Sequence, residues 1–286
     1  VKVVQSQSWY FRRIFDEEYI DEEATVFHRT DCVDQYSNSE GCAVITLYAA
    51  DSPNVVKIYL ALEELELAYE AKPVDVMAGQ NFSPEFVRLN PNAKVPVIVD
   101  QGGPNGQPIR IFESGAILIY LAEKSGRLLP VEPAERYQVL EWLMVQMSGL
   151  GPIFGQFIHF HLFAPNVSDY ARSRYNTLTH RILGALETRL GEAEWLGGSN
   201  YSIADIATFP WVRPLPRVFG PGIETDYPKL TQWVARIAVR SATERALAAV
   251  EKIGQVTTSP FEASTENLDL VFGRGTHAHG IGNPSA

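Results

Sequence analysis

Two short stretches carry residue types suited to binding rather than packing. Asn90-Pro91-Asn92-Ala93-Lys94-Val95-Pro96-Val97-Ile98-Val99 reads as a polar loop running into an apolar strand, and Phe112-Glu113-Ser114-Gly115-Ala116-Ile117 reads as a strand end opening a helix. A helix start has free backbone N–H groups and the positive end of the helix dipole, so the Glu113-Ser114 step suits a carboxylate. Val95 precedes Pro96 and is thereby kept extended, so its N–H and C=O can face a ligand as a strand edge would. A cis Val95-Pro96 bond would fix that edge in place. The two features together predict a site for something peptide-like with a free carboxylate.

The elements that must position these residues are readable on either side. Val44-Ile45-Thr46-Leu47-Tyr48 is a predicted strand, and residues 54–66 are a predicted helix with Val55, Ile58, Leu62 and Leu65 at helical spacing. Residues 69–74 form a second strand and 84–87 a short helical piece. Residues 95–99 and 109–112 form a hairpin around the turn Gly102-Gly103-Pro104-Asn105-Gly106, and 113–124 close the unit as a helix. This order, β-α-β then α then β-β-α, is the thioredoxin-like pattern: the parallel half needs a crossover helix and the second half is an antiparallel hairpin. A linker at 125–132 contains Gly126 and Pro130. Residues 133–252 then show only helical periodicity, with two long helices expected over 134–163 and 167–192. Ser202-Ile203-Ala204-Asp205 is a capping box that starts another helix, and Tyr227-Pro228 starts one with Trp233 and Ile237 on its apolar face. The predicted fold is therefore an α/β thioredoxin-like domain (43–124) followed by an all-α domain (133–252). An N-terminal arm (1–42) rich in Trp9, Tyr10, Phe11 and acidic residues precedes it, and an extended tail (253–286) follows.

Composition excludes several functions. The net charge of −10 disfavours nucleic acid and anionic membrane surfaces as partners. No apolar run reaches about 18 residues, so no membrane-spanning helix is expected, and no basic-then-apolar start marks a secretory signal. The two cysteines, Cys32 and Cys42, both precede the first strand, which points away from a disulfide scaffold and toward a reducing cytoplasm. His159 and His161 point to different helix faces with no further ligand cluster, so no metal is expected.

At these residues the chain resembles the cytosolic glutathione transferases, in which a cis-proline follows the loop and a Glu/Gln-Ser pair opens the third helix. Asp51-Ser52-Pro53-Asn54, the 90–96 loop, Glu113-Ser114-Gly115-Ala116-Ile117-Leu118 and Gly149-Leu150-Gly151-Pro152-Ile153-Phe154-Gly155-Gln156 narrow the resemblance. They look like the Nu-class branch of bacterial enzymes, related to the globular domain of the yeast nitrogen-regulator prion protein. The similarity spans residues 44–252.

The resemblance implies glutathione as cosubstrate and assigns roles. Its chemistry needs a thiolate, and lowering a thiol pKa from ~8.5 to about 6.5 takes roughly 2.7 kcal/mol. The Ser52 hydroxyl and the Asn54 amide would donate to the sulfur, although Ser52 with Pro53 behind it is equally spaced as a plain N-cap. That class usually carries Thr at the Ser52 position. Lys94 would pair with the glycyl carboxylate, and Val95, before Pro96, would bind the cysteinyl segment through its backbone. Glu113 would take the γ-glutamyl ammonium and Ser114 its carboxylate. Gln80 and Asn81 lie where the family places another polar contact, and Arg174 would reach the site from the second long helix. Gln156, Phe157, His159, Phe160, His161 and Phe163 would line the mouth of an acceptor pocket, whereas Tyr48 would face the core. The implied activity is disulfide reduction or transfer to an electrophile, aryl-ether cleavage included, by a homodimer acting on a small-molecule electrophile or disulfide. A non-catalytic glutathione-binding or regulatory protein on the same fold is the alternative.

Overall fold

A computed structural model describes residues 44–279; the arm of residues 1–42 and both cysteines lie outside the described residues. Four strands form one mixed sheet in the order β2-β1-β3-β4: β1 (Ile45–Ala49), β2 (Tyr69–Pro73), β3 (Val97–Asp100) and β4 (Ile109–Phe112). β1 pairs parallel with β2 and antiparallel with β3, and β3 pairs antiparallel with β4. Alternation along β1 puts Ile45, Leu47 and Ala49 on the face of the main core. Tyr48 turns the other way and meets the Phe86 ring edge-on at 6.3 Å, beside the small second core of Val74, Phe86 and Val97. β3 begins at Val97 rather than Val95, because Pro96 has no N–H to give to the ladder.

Helix α1 (Pro53–Leu65) follows β1. Ser52 caps it, Pro53 sits in its first turn, and Glu66 in the left-handed region ends it. α1 is buried nearly all round, because it lies between the sheet and the helical domain. α2 (Pro84–Leu89) covers the far face of the sheet with Phe86, and α3 (Ser114–Ser125) packs beside α1. Two bridges cross to the helical domain from α1: Arg240 grips Glu64 through two bonds of 2.6 and 2.8 Å, and Arg245 pairs with Glu63.

The single helix expected over 134–163 is interrupted. α4 (Pro133–Met144) passes into a π-helical turn at Val145–Leu150, then α5 (Gly151–Ile158), then a second π-helical turn at His159–Phe163. Pro152 supplies the reason for the first: a proline has no N–H for the i−4 carbonyl and its ring clashes there, so the chain widens into i−5 pairing just ahead of it. α6 (Asp169–Glu192) returns along the bundle, and α7 (Ile203–Val212) fills its centre. The Ser202–Asp205 capping box is present. The buried Asp205 carboxylate also accepts from Leu196 N and from Trp233 Nε1, each at 2.9 Å. Short helices α8 (Leu215–Phe219) and α9 (Gly222–Asp226) lead into α10 (Pro228–Ala238), which buries Trp233 and Ile237, and α11 (Ser241–Gly254), which packs on α1.

The tail is not extended. It forms α12 (Thr265–Phe272), started by the Ser264 side chain accepting from Asn267 N and ended by Gly273 in the left-handed region. Phe261 and Phe272 cover Phe163 at ring distances of 5.6 and 5.0 Å, while the helix touches Val76–Ala78 of the sheet domain. Burial of those rings, with a local cap at each end, outweighs the cost of ordering the segment.

A candidate active site at the domain junction

A cleft of about 320 Å³ opens between the sheet domain and the π-helical turn of the helical domain. The loop before β3 forms one wall. Two buried asparagines hold that loop: Asn90 Nδ2 donates to Lys94 O at 2.7 Å, and Asn81 Nδ2 donates to Ala93 O at 2.8 Å. Asn90 Oδ1 accepts from Asn92 N as well, closing the turn from inside. The Val95-Pro96 bond is cis. Val95 and Pro96 both line the cleft, with Val95 left outside the β3–β4 ladder. Lys94 stands exposed at the rim.

Glu113 and Ser114 form the opposite wall at the start of α3. Glu113 has φ 70° and ψ 117°, a strained backbone for a residue with a Cβ, and makes no side-chain cap bond. Exposed Glu113 lines the cleft together with the start of α3, whose first N–H groups have no intrahelical partner. Ser114 is buried beneath it.

Asn54, in the first turn of α1, lines the cleft from below. Its Oδ1 accepts from Trp211 Nε1 at 3.2 Å. An indole N–H is a donor only, so the contact fixes the Asn54 carbonyl toward Trp211 and presents its NH2 to the cleft. Ser52 serves as the N-cap of α1, accepting from Val55 N at 3.4 Å, and stands outside the residues that line the cleft. Its hydroxyl hydrogen is not used by that bond.

Four further site residues gave no signal in the sequence. Trp211 comes from the last turns of α7, and Gln146 and Met147 come from the π-helical turn, which swings them toward α1. Lys57 lies on the floor, only 1 % exposed, and donates to Gln146 Oε1 at 2.6 Å and to Ser114 Oγ at 3.3 Å. Burial pushes the Lys57 ammonium down to about pKa 7, against the opposing pull of the Glu113 charge.

Other expected contacts fall elsewhere. Gln80 is exposed with its Oε1 accepting from Asp75 N, and Asn81 supports the loop from behind; neither lines the cleft. Arg174 is exposed on α6, also away from the cleft. Of the expected acceptor mouth, only Gln156 reaches the cleft. Phe157 is core, stacked on Phe219 at 5.0 Å. His161 stacks on Phe157, whereas His159 meets the tail ring of Phe272. Burial lowers both imidazole pKa values, helped by Arg274 beside His159 and Arg172 beside His161.

Comparison with known proteins fits this geometry. The chain matches the glutathione S-transferase N-terminal domain over residues 43–123 and the glutathione S-transferase C-terminal domain over residues 155–241. It is 48 % identical over 206 residues to the disulfide-bond oxidoreductase YfcG of Escherichia coli, covering 71 % of this chain and 94 % of the relative. A glutathione transferase of Burkholderia graminis, solved with two glutathione molecules per subunit, superposes with a TM-score of 0.70 at 43 % identity, covering 76 % of this chain and 92 % of that one. A Pseudomonas putida glutathione transferase with one glutathione disulfide per subunit gives 0.68 at 42 % identity, covering 75 % and 95 %. With both domains matched and such identity over most of its length, the chain belongs to the glutathione S-transferase family.

Proposed function

We propose that the cleft binds glutathione and uses its thiolate to reduce small disulfides. The observation that carries this is the meeting of Asn54, Val95 and the Glu113-Ser114 step in one cleft, although they come from three separate places in the chain. Glu113 takes the γ-glutamyl ammonium, Ser114 its carboxylate, and the Val95 backbone the cysteinyl unit. Lys94 takes the glycyl carboxylate. The Asn54 NH2 donates to the sulfur, and the free Ser52 hydroxyl hydrogen assists from the cap position. A donor hydrogen-bonded to the ionised sulfur favours the thiolate. Gln80, Asn81 and Arg174 act outside this set: Asn81 shapes the loop that presents Val95, and Gln80 closes the turn from Asp75.

The thiolate attacks one sulfur of the substrate disulfide, forming a mixed disulfide with glutathione and expelling one thiolate. A second glutathione thiolate then attacks the glutathione sulfur of that mixed disulfide, releasing the other thiolate and glutathione disulfide. No cysteine occurs among the described residues, so both thiols of this reaction sequence are drawn from glutathione. The name of the Escherichia coli relative and the glutathione disulfide held by the Pseudomonas putida protein support this order of preference over aryl transfer or aryl-ether cleavage. We take 43–124 as the glutathione-binding unit, 125–132 as the linker and 133–252 as the helical unit, acting as a cytoplasmic homodimer. Tyr137 and Met144, exposed one heptad apart on α4, favour a second copy as neighbour.

The test is a parallel assay with glutathione against 2-hydroxyethyl disulfide and 1-chloro-2,4-dinitrobenzene. Disulfide turnover well above aryl transfer is expected. Glutathione binding without turnover of either substrate would instead support a non-catalytic binding protein.

A further inference from the structure

Lys57 is a buried charge without a counter-ion. Among the described residues it forms no ion pair, and Glu113 acts on it only through space. Its partners are neutral: Gln146 Oε1, Ser114 Oγ and, at 3.5 Å, the thioether of Met147. A buried ammonium satisfied only by neutral acceptors is costly, so its place on the cleft floor calls for an anion above it.

The surrounding donors point the same way. Because Gln146 Oε1 accepts from Lys57, its NH2 is turned away from the ammonium. That Nε2 is buried without a hydrogen-bond partner, in a side chain 1 % exposed that lines the cleft. Gly151 makes room for it: a Cβ there would lie 2.9 Å from Nε2. Ser114 Oγ accepts from Lys57, so its hydroxyl hydrogen is available and makes only a 3.7 Å contact to Met147 Sδ. The uncapped N-terminus of α3 completes the group.

We propose that Lys57 is a positioning residue for the γ-glutamyl carboxylate: held under Ser114 and Gln146, its ammonium orients both toward that group and supplies the buried positive charge behind them. This rests on the glutathione reading above. The charged groups reaching α1 from its other neighbours are already engaged, Arg240 by Glu64 and Arg245 by Glu63, and Asp205 of α7 is enclosed by its own donors. Among the described residues Glu113 is thus the charge that faces Lys57 in the free cleft, and a bound carboxylate adds a second. Binding then draws a proton onto Lys57 wherever the free ammonium is partly deprotonated.

The test is calorimetric titration of the full chain with S-methylglutathione, which has no thiol to titrate, in two buffers of different ionisation enthalpy from about pH 6 to about pH 8. Wild type is expected to bind with proton uptake that grows toward the upper end of that range. Lys57→Met is expected to bind about ten- to a hundred-fold more weakly, with that uptake gone. Lys57→Arg, which keeps the charge, should recover part of the affinity without the uptake. Equal affinity in Lys57→Met, or unchanged uptake, overturns this inference and leaves the glutathione reading intact. No binding by wild type overturns both. Should Lys57→Met not fold, the wild-type proton count decides alone, and no uptake refutes the proposal.

Discussion

The indole N–H of Trp211 donates to the side-chain carbonyl of Asn54 across 3.2 Å, and the two residues stand 157 positions apart in the chain. One belongs to the helix that follows β1 and the other to the central helix of the bundle. The contact ties the docking of the two domains to the direction in which one amide faces the cleft. The orientation of a sulfur-binding donor is therefore a property of the domain interface.

Trp211→Phe keeps an aromatic ring near Phe154 and deletes the donor, along with part of the indole's packing on Gly151 and Gly155. The Asn54 amide is then free to turn over, and kcat/KM for disulfide reduction is expected to fall about five- to tenfold. Asn54→Ala should go further and raise the pKa of bound glutathione by about one unit, read as thiolate absorbance against pH. An unshifted thiol titration in Asn54→Ala would remove Asn54 from the chemistry.

Glu113 sets binding against stability. Its backbone lies where glycine is at ease, so Glu113→Gly relieves strain of about 1 kcal/mol and should hold or raise Tm. The same change removes the group assigned to the ammonium, so retention on immobilised glutathione should drop. Ser114→Ala should also weaken retention. Full retention by both variants would disprove the assigned γ-glutamyl site.

Asp100 lends the sheet domain an acid-sensitive anchor. Burial raises its carboxyl pKa, but hydrogen bonds from Lys124, Tyr120 and the Gly102 N–H outweigh that and leave it below the usual carboxylate range. A folded-state pKa below the unfolded one gives stability that is present above the unfolded value and is lost as pH falls through the folded one. Asp100→Asn should cost about 1–3 kcal/mol near neutrality and almost nothing in strong acid. Denaturant titrations at the two pH values measure the difference.

Lys57 behaves in the opposite sense. Its folded pKa near 7 lies below the unfolded 10.5, so across that window the unfolded chain binds more protons and stability from this group rises with pH. Lys57→Met removes that dependence. The Tm of Lys57→Met relative to wild type should therefore be most favourable below pH 7 and decline steadily toward pH 10. A constant difference would mean that the Lys57 ammonium is not destabilised by burial.

Asp205 holds the centre of the bundle. It accepts from the Leu196 and Ser202 N–H groups, the Ser202 hydroxyl and Trp233 Nε1 while fully buried. Asp205→Ala leaves these donors unsatisfied and should cost about 3 kcal/mol or more. Thermal unfolding in the presence and absence of glutathione would register the loss in both conditions, because the residue lies outside the cleft.

Much of this molecule was written locally. Strand alternation, the Ser52-Pro53 cap, the glycine-rich hairpin turn and the Ser202–Asp205 box each involve residues within a few positions of one another, so pattern alone reveals them. The Asn90–Pro96 loop and the Glu113-Ser114 step were legible for the same reason: a pre-proline residue and a helix start have defined backbone consequences whatever surrounds them. The tail helix was equally local in its caps, but its apolar side meets a partner only in the folded chain, and a short helix without a partner is marginal. Lys57 sits one residue before Ile58 and reads as a solvated lysine until the bundle closes over it. Trp211 and Gln146 join the site from far along the chain, one through domain docking and the other through a π-helical turn that no hydrophobic period encodes. Which backbone edges and helix ends exist follows from short stretches of sequence, because those depend on neighbours in the chain. Which buried charge and which amides face them follows from the packed fold, because long-range packing sets desolvation and orientation.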